Sequence, residues 1–137
     1  MINRLANVLD FQGQALQLRA ERQGILAGNI ANVDTPGFQA RDFDFASALR
    51  EATQTQQGRL GAPVAGDLLR RGFEGGRYEP RLNYAIPSQT NLDGNTVDLD
   101  RERANFADNS VKFEATLRFV NGSVRTLLEA MKGHNQG

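Results

Sequence analysis

Apolar residues recur at alternating spacings of three and four at both ends of the chain. In one such series, from Ile2 to Val33, seven of ten positions are apolar, and in a second, from Leu99 to Met131, eight of ten are apolar. This spacing places the apolar side chains on one face of an α-helix, and a series sustained over several heptads is typical of a coiled-coil seam. The pattern predicts a mainly α chain whose long N- and C-terminal helices pair as a coiled coil.

Capping and breaking residues set the ends of these helices. Pro36 disfavours helical geometry at the residue before it, so the first helix is expected to stop near Val33 or Asp34. Asp98 is well placed as the N-cap of the last helix, ahead of an acidic first turn. We therefore divide a single unit, residues 1–137, into an N-terminal helix at 1–34, a middle segment at 35–95 and a C-terminal helix at 96–132.

The middle segment carries a weaker pattern. The stretch "DFDFASALREA" predicts a short helix capped by Asp44. Residues 54–76 are rich in glycine and glutamine, which indicates a flexible loop or a segment that is ordered only by a partner. Alternation around Leu82, Tyr84 and Ile86 then predicts a brief strand or β-arm.

The first helix has few charges and an unusual row of small residues. No charged residue lies between Gln23 and Val33, and Ala20, Gly24 and Gly28 follow one another at a spacing of four. Such a row lets another backbone approach closely. One interpretation is an intramolecular helical hairpin that tolerates its glycines. We favour a second, in which one face packs on the C-terminal helix and the other on neighbouring subunits, because the chain offers little other core.

A sharp corner follows the first helix. Asn29 and Asn32 lie three residues apart on one helix face. The sequence Thr35-Pro36-Gly37-Phe38 suits a type II turn, with proline at its second position and glycine at its third. The turn is expected to aim the Phe38 ring away from the helix axis. Taken alone, these residues describe a helix stop with an aromatic plug.

The composition leaves little material for an active site. Sixteen basic residues balance sixteen acidic ones without a basic stripe, which argues against nucleic-acid binding, and cysteine is absent. The single histidine, His134, lies in the tail "KGHNQG". An enzyme would need a carboxylate pair such as Asp42 and Asp44, which more plausibly act as caps. We predict no catalytic residue, no cofactor, no metal site and no small-molecule substrate.

The stretch "QTNLDGNTVDLD" resembles a calcium loop only weakly, because Gln89 and Asp100 occupy the positions of the first aspartate and the last glutamate. A turn at Asp93-Gly94 is the simpler prediction.

No apolar run reaches the length that spans a bilayer, and the N-terminus lacks the apolar core of a cleaved signal peptide. Passage out of the cytoplasm would therefore need another route.

Two separated stretches resemble the bacterial flagellar axial proteins, the rod, hook and hook–filament junction subunits. The run "GNIANVDTPGF" is similar to their N-terminal signature, which couples asparagines at a helix end to a Thr-x-Gly-aromatic corner. Over "LRAERQGILAGNIANVDTPGFQARDFDFASAL" and "LDGNTVDLDRERANFADNSVKFEATLRFV" the chain resembles, more narrowly, a rod protein of the flagellar basal body. The signature residues, with the proline between them, are Asn29, Ile30, Asn32, Thr35, Pro36, Gly37 and Phe38.

The resemblance implies a structural subunit of the proximal rod that supports motility. It implies paired terminal helices in a tubular assembly and export by the flagellar type III apparatus without a cleaved signal. The rod would stand in the periplasm near the inner membrane. Expected partners are further copies, other proximal rod proteins, the rod–MS-ring adaptor protein FliE and the MS ring.

We expect the apolar and small residues of both helices to serve helix pairing or subunit contact. A soluble coiled-coil adaptor or a secretion chaperone is the alternative; it would explain the two helices but not the corner. The expected contact residues are Leu9, Leu16, Gly24, Leu26, Gly28, Phe106, Phe113, Leu117, Val120, Val124 and Leu127.

Overall fold

The computed structural model of the protein describes residues 2–57, 80–84 and 92–135. This described part is mainly helical and contains a long helix at each end of the chain, a shorter helix and two short strands. In chain order these are α1 (Ile2–Ala31), β1 (Arg41–Asp42), α2 (Phe45–Gln57), β2 (Asn83–Tyr84) and α3 (Leu99–Asn135). The strands pair antiparallel, with Arg41 opposite Tyr84 and Asp42 opposite Asn83.

Helices α1 and α3 pack against each other in antiparallel orientation, which confirms the predicted pairing of long terminal helices. Asn29, near the end of α1, contacts Glu102 in the first turn of α3, while Asn109 lies against the middle of α1. Asp98 caps α3 as predicted: the backbone N–H of Arg101 donates to its Oδ1 at 3.2 Å. The end of α1 and the start of α3 therefore lie in the same small region of the molecule.

Helix α2 packs on a different side of α1. Leu18 of α1 is buried with Phe43, Ala48 and Ala52, and Ile25, Phe45 and Leu49 pack around them. Asp44 caps α2 as predicted, accepting from the backbone N–H of Ala46 at 3.1 Å. This apolar cluster fixes α2 on the row of α1 that contains Leu18 and Ile25.

The middle segment differs from its prediction in one respect. Helix α2 continues to Gln57, so the loop predicted from Gln54 is wrong over its first four residues. Glutamine is a good helix former, and a hydroxyl bond from Thr53 to the Leu49 carbonyl at 2.9 Å lies in the same turn. Residues 58–76 of the predicted loop lie outside the described residues. The predicted strand is present at Tyr84, and Ile86 lies outside the described residues.

Candidate assembly site

Asn29 joins three elements at the corner that follows α1. Its Nδ2 donates to the carbonyl oxygen of Arg41 at 2.6 Å and to Oε2 of Glu102 at 3.0 Å. Its Oδ1 accepts from the backbone N–H of Arg41 at 3.1 Å. The side chain is only 2% exposed. A buried amide with both its nitrogen and its oxygen paired ties α1 to β1 and to the start of α3.

Asn32 closes the end of α1 locally. Its Nδ2 donates to the carbonyl oxygen of Gly28 at 2.8 Å, and its Oδ1 accepts from the Thr35 hydroxyl at 3.1 Å. The helix ends at Ala31, two or three residues before the position expected from Pro36. Asn32 to Gly37 form consecutive turns, so the signature asparagines mark the helix end itself.

The corner is the type II turn that the sequence predicts. The backbone N–H of Phe38 donates to the carbonyl oxygen of Thr35 at 3.2 Å, and Gly37 has a φ of +73°. A positive φ at the third turn position favours glycine, because an L side chain is strained there. Thr35, Pro36 and Gly37 are exposed, whereas Phe38 is half-buried.

Asn95 is the corner residue that sequence reasoning missed. Its Nδ2 lies 3.0 Å, 2.8 Å and 2.8 Å from the carbonyl oxygens of Asn32, Val33 and Thr35. Its Oδ1 accepts from the backbone N–H of Val97 at 2.8 Å. Asn95 therefore serves carbonyl groups of the turn that follows α1, from a segment far along the chain.

Backbone contacts bind the same two segments together. The N–H of Gly37 donates to the carbonyl oxygen of Asp93 at 2.7 Å, and the N–H of Thr96 donates to that of Phe38 at 3.0 Å. Gly94 has a φ of +72°, in agreement with the turn predicted at Asp93-Gly94. A Cβ on Gly94 would lie 3.8 Å from the Gly37 Cα, so the two turns stand against each other. We call this paired structure, residues 29–41 with residues 93–102, the corner clamp.

A charged pair supports the corner clamp from α1. The guanidinium of Arg22 contacts both carboxylate oxygens of Asp42, at 3.0 Å and 2.9 Å. The hydrogen bond with Asp42 raises the pKa of Arg22 above its ordinary value. A two-point contact of this kind fixes the direction of both side chains. Asp42 thus orients β1, and Asp44 caps α2, so each carboxylate of the pair considered for catalysis has a structural role.

The seam between α1 and α3 is more polar than predicted. The residues of α3 that are most buried are Glu102, Asn109 and Thr116, at a spacing of seven. Asn109 is fully buried and its Nδ2 donates to the Arg19 carbonyl at 2.9 Å and to Oε1 of Gln23 at 2.7 Å. The predicted seam series placed the neighbouring positions 103, 110 and 117 inward. The seam is therefore rotated by one position, because Glu102 and Asn109 find partners on α1, whereas the Thr116 hydroxyl bonds to the Lys112 carbonyl of α3.

The residues expected at contacts fall into three groups. Leu26 is fully buried against the rest of the chain. Seven others are half-buried: Leu9, Leu16, Gly28, Phe106, Phe113, Val120 and Leu127. Three are exposed in the single chain: Gly24, Leu117 and Val124. Ile30 of the signature is half-buried.

The described part of the chain also bears on metal binding and on membrane insertion. Within residues 2–57, 80–84 and 92–135, no group of three or more histidine, cysteine, aspartate or glutamate side chains could hold a metal ion. No helix in that part is long and apolar enough to cross a membrane.

Comparison with known proteins places these features in a family. A family model described as "Flagella basal body rod protein" matches residues 9–39, which run along α1 into the corner clamp. The chain is 48% identical to the flagellar basal body rod protein FlgB of Proteus mirabilis (strain HI4320), over 96% of this chain and 98% of that protein. The chain belongs to the flagellar basal body rod proteins. The FlgB proteins of Escherichia coli (strain K12) and Salmonella typhimurium are 41% and 42% identical, each over 98% of this chain and 100% of theirs.

The rod-protein family match ends close to the corner, whereas the relatives cover nearly the whole chain. The corner clamp combines residues from two separate parts of the chain, since Asn29 lies near the end of the first helix and Asn95 precedes the last one. The sequence alone did not predict a contact between these two stretches. The available signal was an asparagine placed directly after an Asp-Gly turn, a residue that readily bonds to nearby backbone.

Proposed function

We propose that this chain is a structural subunit of the flagellar basal body rod and that the corner clamp sets the shape in which it assembles. The observation that carries the proposal is the side chain of Asn29, which holds α1, β1 and α3 together through Arg41 and Glu102. The contact fixes the direction in which β1 leaves the helix pair. Membership of the rod-protein family supports the structural role.

Its partners in this proposal are further copies and other proximal rod proteins, with the adaptor FliE and the MS ring at the base. The rod would stand in the periplasm near the inner membrane. The names of the relatives support the basal body, and the exposed Gly24, Leu117 and Val124 supply surface for neighbouring subunits. The chain acts by packing, without catalysis.

Export by the flagellar type III apparatus, without a cleaved signal, completes the proposal. Helix α1 contains three glycines, Gly13, Gly24 and Gly28, and each lowers helix stability by about 1 kcal/mol relative to alanine. The seam of α3 buries polar side chains where a stable coiled coil would bury apolar ones. Both features keep the isolated helix pair weak, which suits a chain that must unfold for export.

The soluble adaptor or secretion chaperone is not favoured. The relatives at 41–48% identity are rod proteins, and the similarity covers nearly the full chain. An adaptor would not need the corner, which in this chain is held by hydrogen bonds such as that from Asn95 to Thr35.

Mass spectrometry of detergent-isolated basal bodies from the source organism tests the proposal. Samples stripped of filament and cytoplasmic contaminants should contain this chain together with rod and ring proteins. Its absence, with other rod proteins present, would refute the rod assignment. A matched strain that carries Asn29→Ala should retain the soluble pool of the chain but lose it from basal bodies.

A further inference from the structure

Helix α3 buries a row of polar side chains against α1, while apolar side chains beside that row stay partly exposed. Glu102, Asn109 and Thr116 are 3%, 0% and 8% exposed, and we call these three residues the polar row. Leu117 and Val124 are 37% and 40% exposed. A helix that packs on another normally buries its apolar side and leaves its polar side in water. The orientation of α3 therefore has a cause other than the burial of apolar surface.

The angle between the two sides of α3 follows from helical geometry. At about 100° per residue, Glu102 and Thr116 point within about 20° of Asn109, one to each side of it. The apolar side of α3 is centred about 45° from Asn109 on the same scale, toward the side on which Glu102 lies. It consists of Phe106, Phe113, Leu117, Val120, Val124 and Leu127. Helix α3 is thus turned away from the orientation that would bury its apolar side best.

Gln23 of α1 holds α3 in this orientation. Its Oε1 accepts from Nδ2 of Asn109 at 2.7 Å, and its Nε2 donates to the hydroxyl oxygen of Ser110. Consecutive residues of a helix point about 100° apart. An amide that is bonded to both of them therefore fixes the rotation of α3 about its own axis. Nδ2 of Asn109 also donates to the backbone carbonyl oxygen of Arg19 at 2.9 Å, which adds a second point of attachment on α1.

This orientation lowers the stability of the helix pair. Asn109 is fully buried, and its Oδ1 has no hydrogen-bond partner within the described part of the chain. A buried polar atom without a partner opposes folding, whereas apolar side chains in the same place favour it. In coiled coils, a buried polar residue can fix one arrangement of the helices at a cost in stability. The contact between Gln23 and Asn109 has both of these features.

We propose that Gln23 is a rotational latch, which holds α3 with its polar row inward and keeps Leu117 and Val124 out of the contact with α1. When the latch is removed, α3 turns by about 45° and its apolar side enters the seam. Glu102 still faces α1 after this turn, because it starts about 20° on the apolar side of Asn109. The latch acts within one chain, so it does not depend on the proposed rod function.

Two adjacent positions of α3 report this rotation with opposite signs. A turn of about 45° moves Thr116 from the seam toward solvent and moves Leu117 from solvent into the seam. Because the chain contains no cysteine, Thr116→Cys and Leu117→Cys each introduce a single thiol. The rate at which iodoacetamide alkylates that thiol, in dilute full-length protein, measures its exposure.

Each single-thiol chain is compared with the same chain carrying Gln23→Leu, which keeps a side chain of similar size but removes both bonds. Before this change, the thiol at position 117 should react faster than the thiol at position 116. Gln23→Leu should slow alkylation at position 117 and speed it at position 116, each by about fourfold, in proportion to the present exposures of 37% and 8%. Gln23→Ala, which removes the bonds without adding apolar surface, should shift both rates in the same directions.

Leu49→Ala is the control for a general loss of stability, because Leu49 packs in the apolar cluster between α1 and α2 and not in the seam. A variant that only weakens the fold opens both positions, so Leu49→Ala should leave both alkylation rates unchanged or raise both. Far-UV circular dichroism shows whether each variant retains its helices.

Two results would overturn the proposal. If Gln23→Leu and Gln23→Ala raise both rates or leave both unchanged, Gln23 does not set the rotation of α3. Equal rates at positions 116 and 117 in the chain with Gln23 intact would mean that the polar row does not face α1. Opposite changes at the two adjacent positions support the latch, because a loss of stability alone cannot slow alkylation at position 117.

Discussion

The side-chain nitrogen of Asn95 lies 2.8 Å from the carbonyl oxygen of Thr35, a residue 60 positions earlier in the chain. The same nitrogen serves the carbonyls of Asn32 and Val33. A helix normally obtains its C-terminal partners from the residues that follow it directly. Here too Asn32 and Val33 bond to the last carbonyls of α1, and Asn95 serves the carbonyls of the turn that follows, so the end of one long helix and the start of the other form a single structure.

Two substitutions at Asn95 should show how much of the stability comes from its side-chain N–H donor. Asn95→Asp keeps the shape but places carboxylate oxygens against three carbonyl oxygens, and we expect the free energy of unfolding to fall by about 2–3 kcal/mol. Asn95→Ala removes the donor without the repulsion and should cost about 1–2 kcal/mol. Urea unfolding followed by circular dichroism measures both. Equal stability of Asn95→Asp and wild type would show that the contact contributes nothing.

Two glycines should respond in opposite directions to alanine. Gly37→Ala introduces a side chain at a φ of +73° and should destabilise the chain by about 1–2 kcal/mol. Gly24→Ala lies in an exposed, open helical position and should stabilise the isolated chain by up to about 1 kcal/mol. Thermal unfolding of the two variants gives both signs. A neutral Gly37→Ala would mean that the turn is not held in this conformation.

The Arg22–Asp42 contact should require arginine. The Arg22 side chain is 17% exposed and contacts both oxygens of Asp42, a geometry that a lysine ammonium cannot reproduce. We expect Arg22→Lys to lose about 1 kcal/mol of stability, close to the loss in Arg22→Ala. Arg118→Lys is the matched control, because its pair with Glu114 is exposed on α3. Full stability in Arg22→Lys would contradict the two-point contact.

The cap of α2 should weaken in acid. A hydrogen bond from the Ser47 hydroxyl, at 2.7 Å, lowers the pKa of Asp44 below its ordinary value. Because the folded pKa is the lower one, the cap's contribution is complete at neutral pH and is lost as pH falls through that pKa. Ser47→Ala should raise the pKa of Asp44, which NMR titration of its carboxyl carbon measures. An unchanged titration would remove Ser47 as the cause.

The sequence was sufficient for the helices and caps because those features depend on local periodicity and on single capping residues. The rotation of the seam was not predictable in the same way. Periodicity shows that Phe106, Phe113 and Leu117 share one side of α3, but not which part of that side meets α1. Glu102 turns inward because it accepts a hydrogen bond from Asn29, and Asn109 because it donates one to Gln23. These partners are brought together only in the folded chain.

The corner shows the same division between local and distant causes. Pro36 and Gly37 define the turn by their own backbone preferences, so the sequence predicts it. The role of Asn95 depends on a contact across 60 residues, and nothing in its neighbourhood specifies that partner. The end of α2 at Gln57 lies between these cases, since glutamine permits both helix and loop.

A double-mutant cycle between Asn29 and Glu102 tests the corner clamp most directly. Asn29→Ala, Glu102→Ala and the double variant are compared with wild type by urea unfolding, and the coupling energy isolates the Nδ2–Oε2 contact of 3.0 Å. We predict a coupling of about 1.5–3 kcal/mol, as for a hydrogen bond to a carboxylate. A parallel cycle of Asn29 with Asp108, which is exposed on α3, should give none. A coupling near zero between Asn29 and Glu102 would contradict the account.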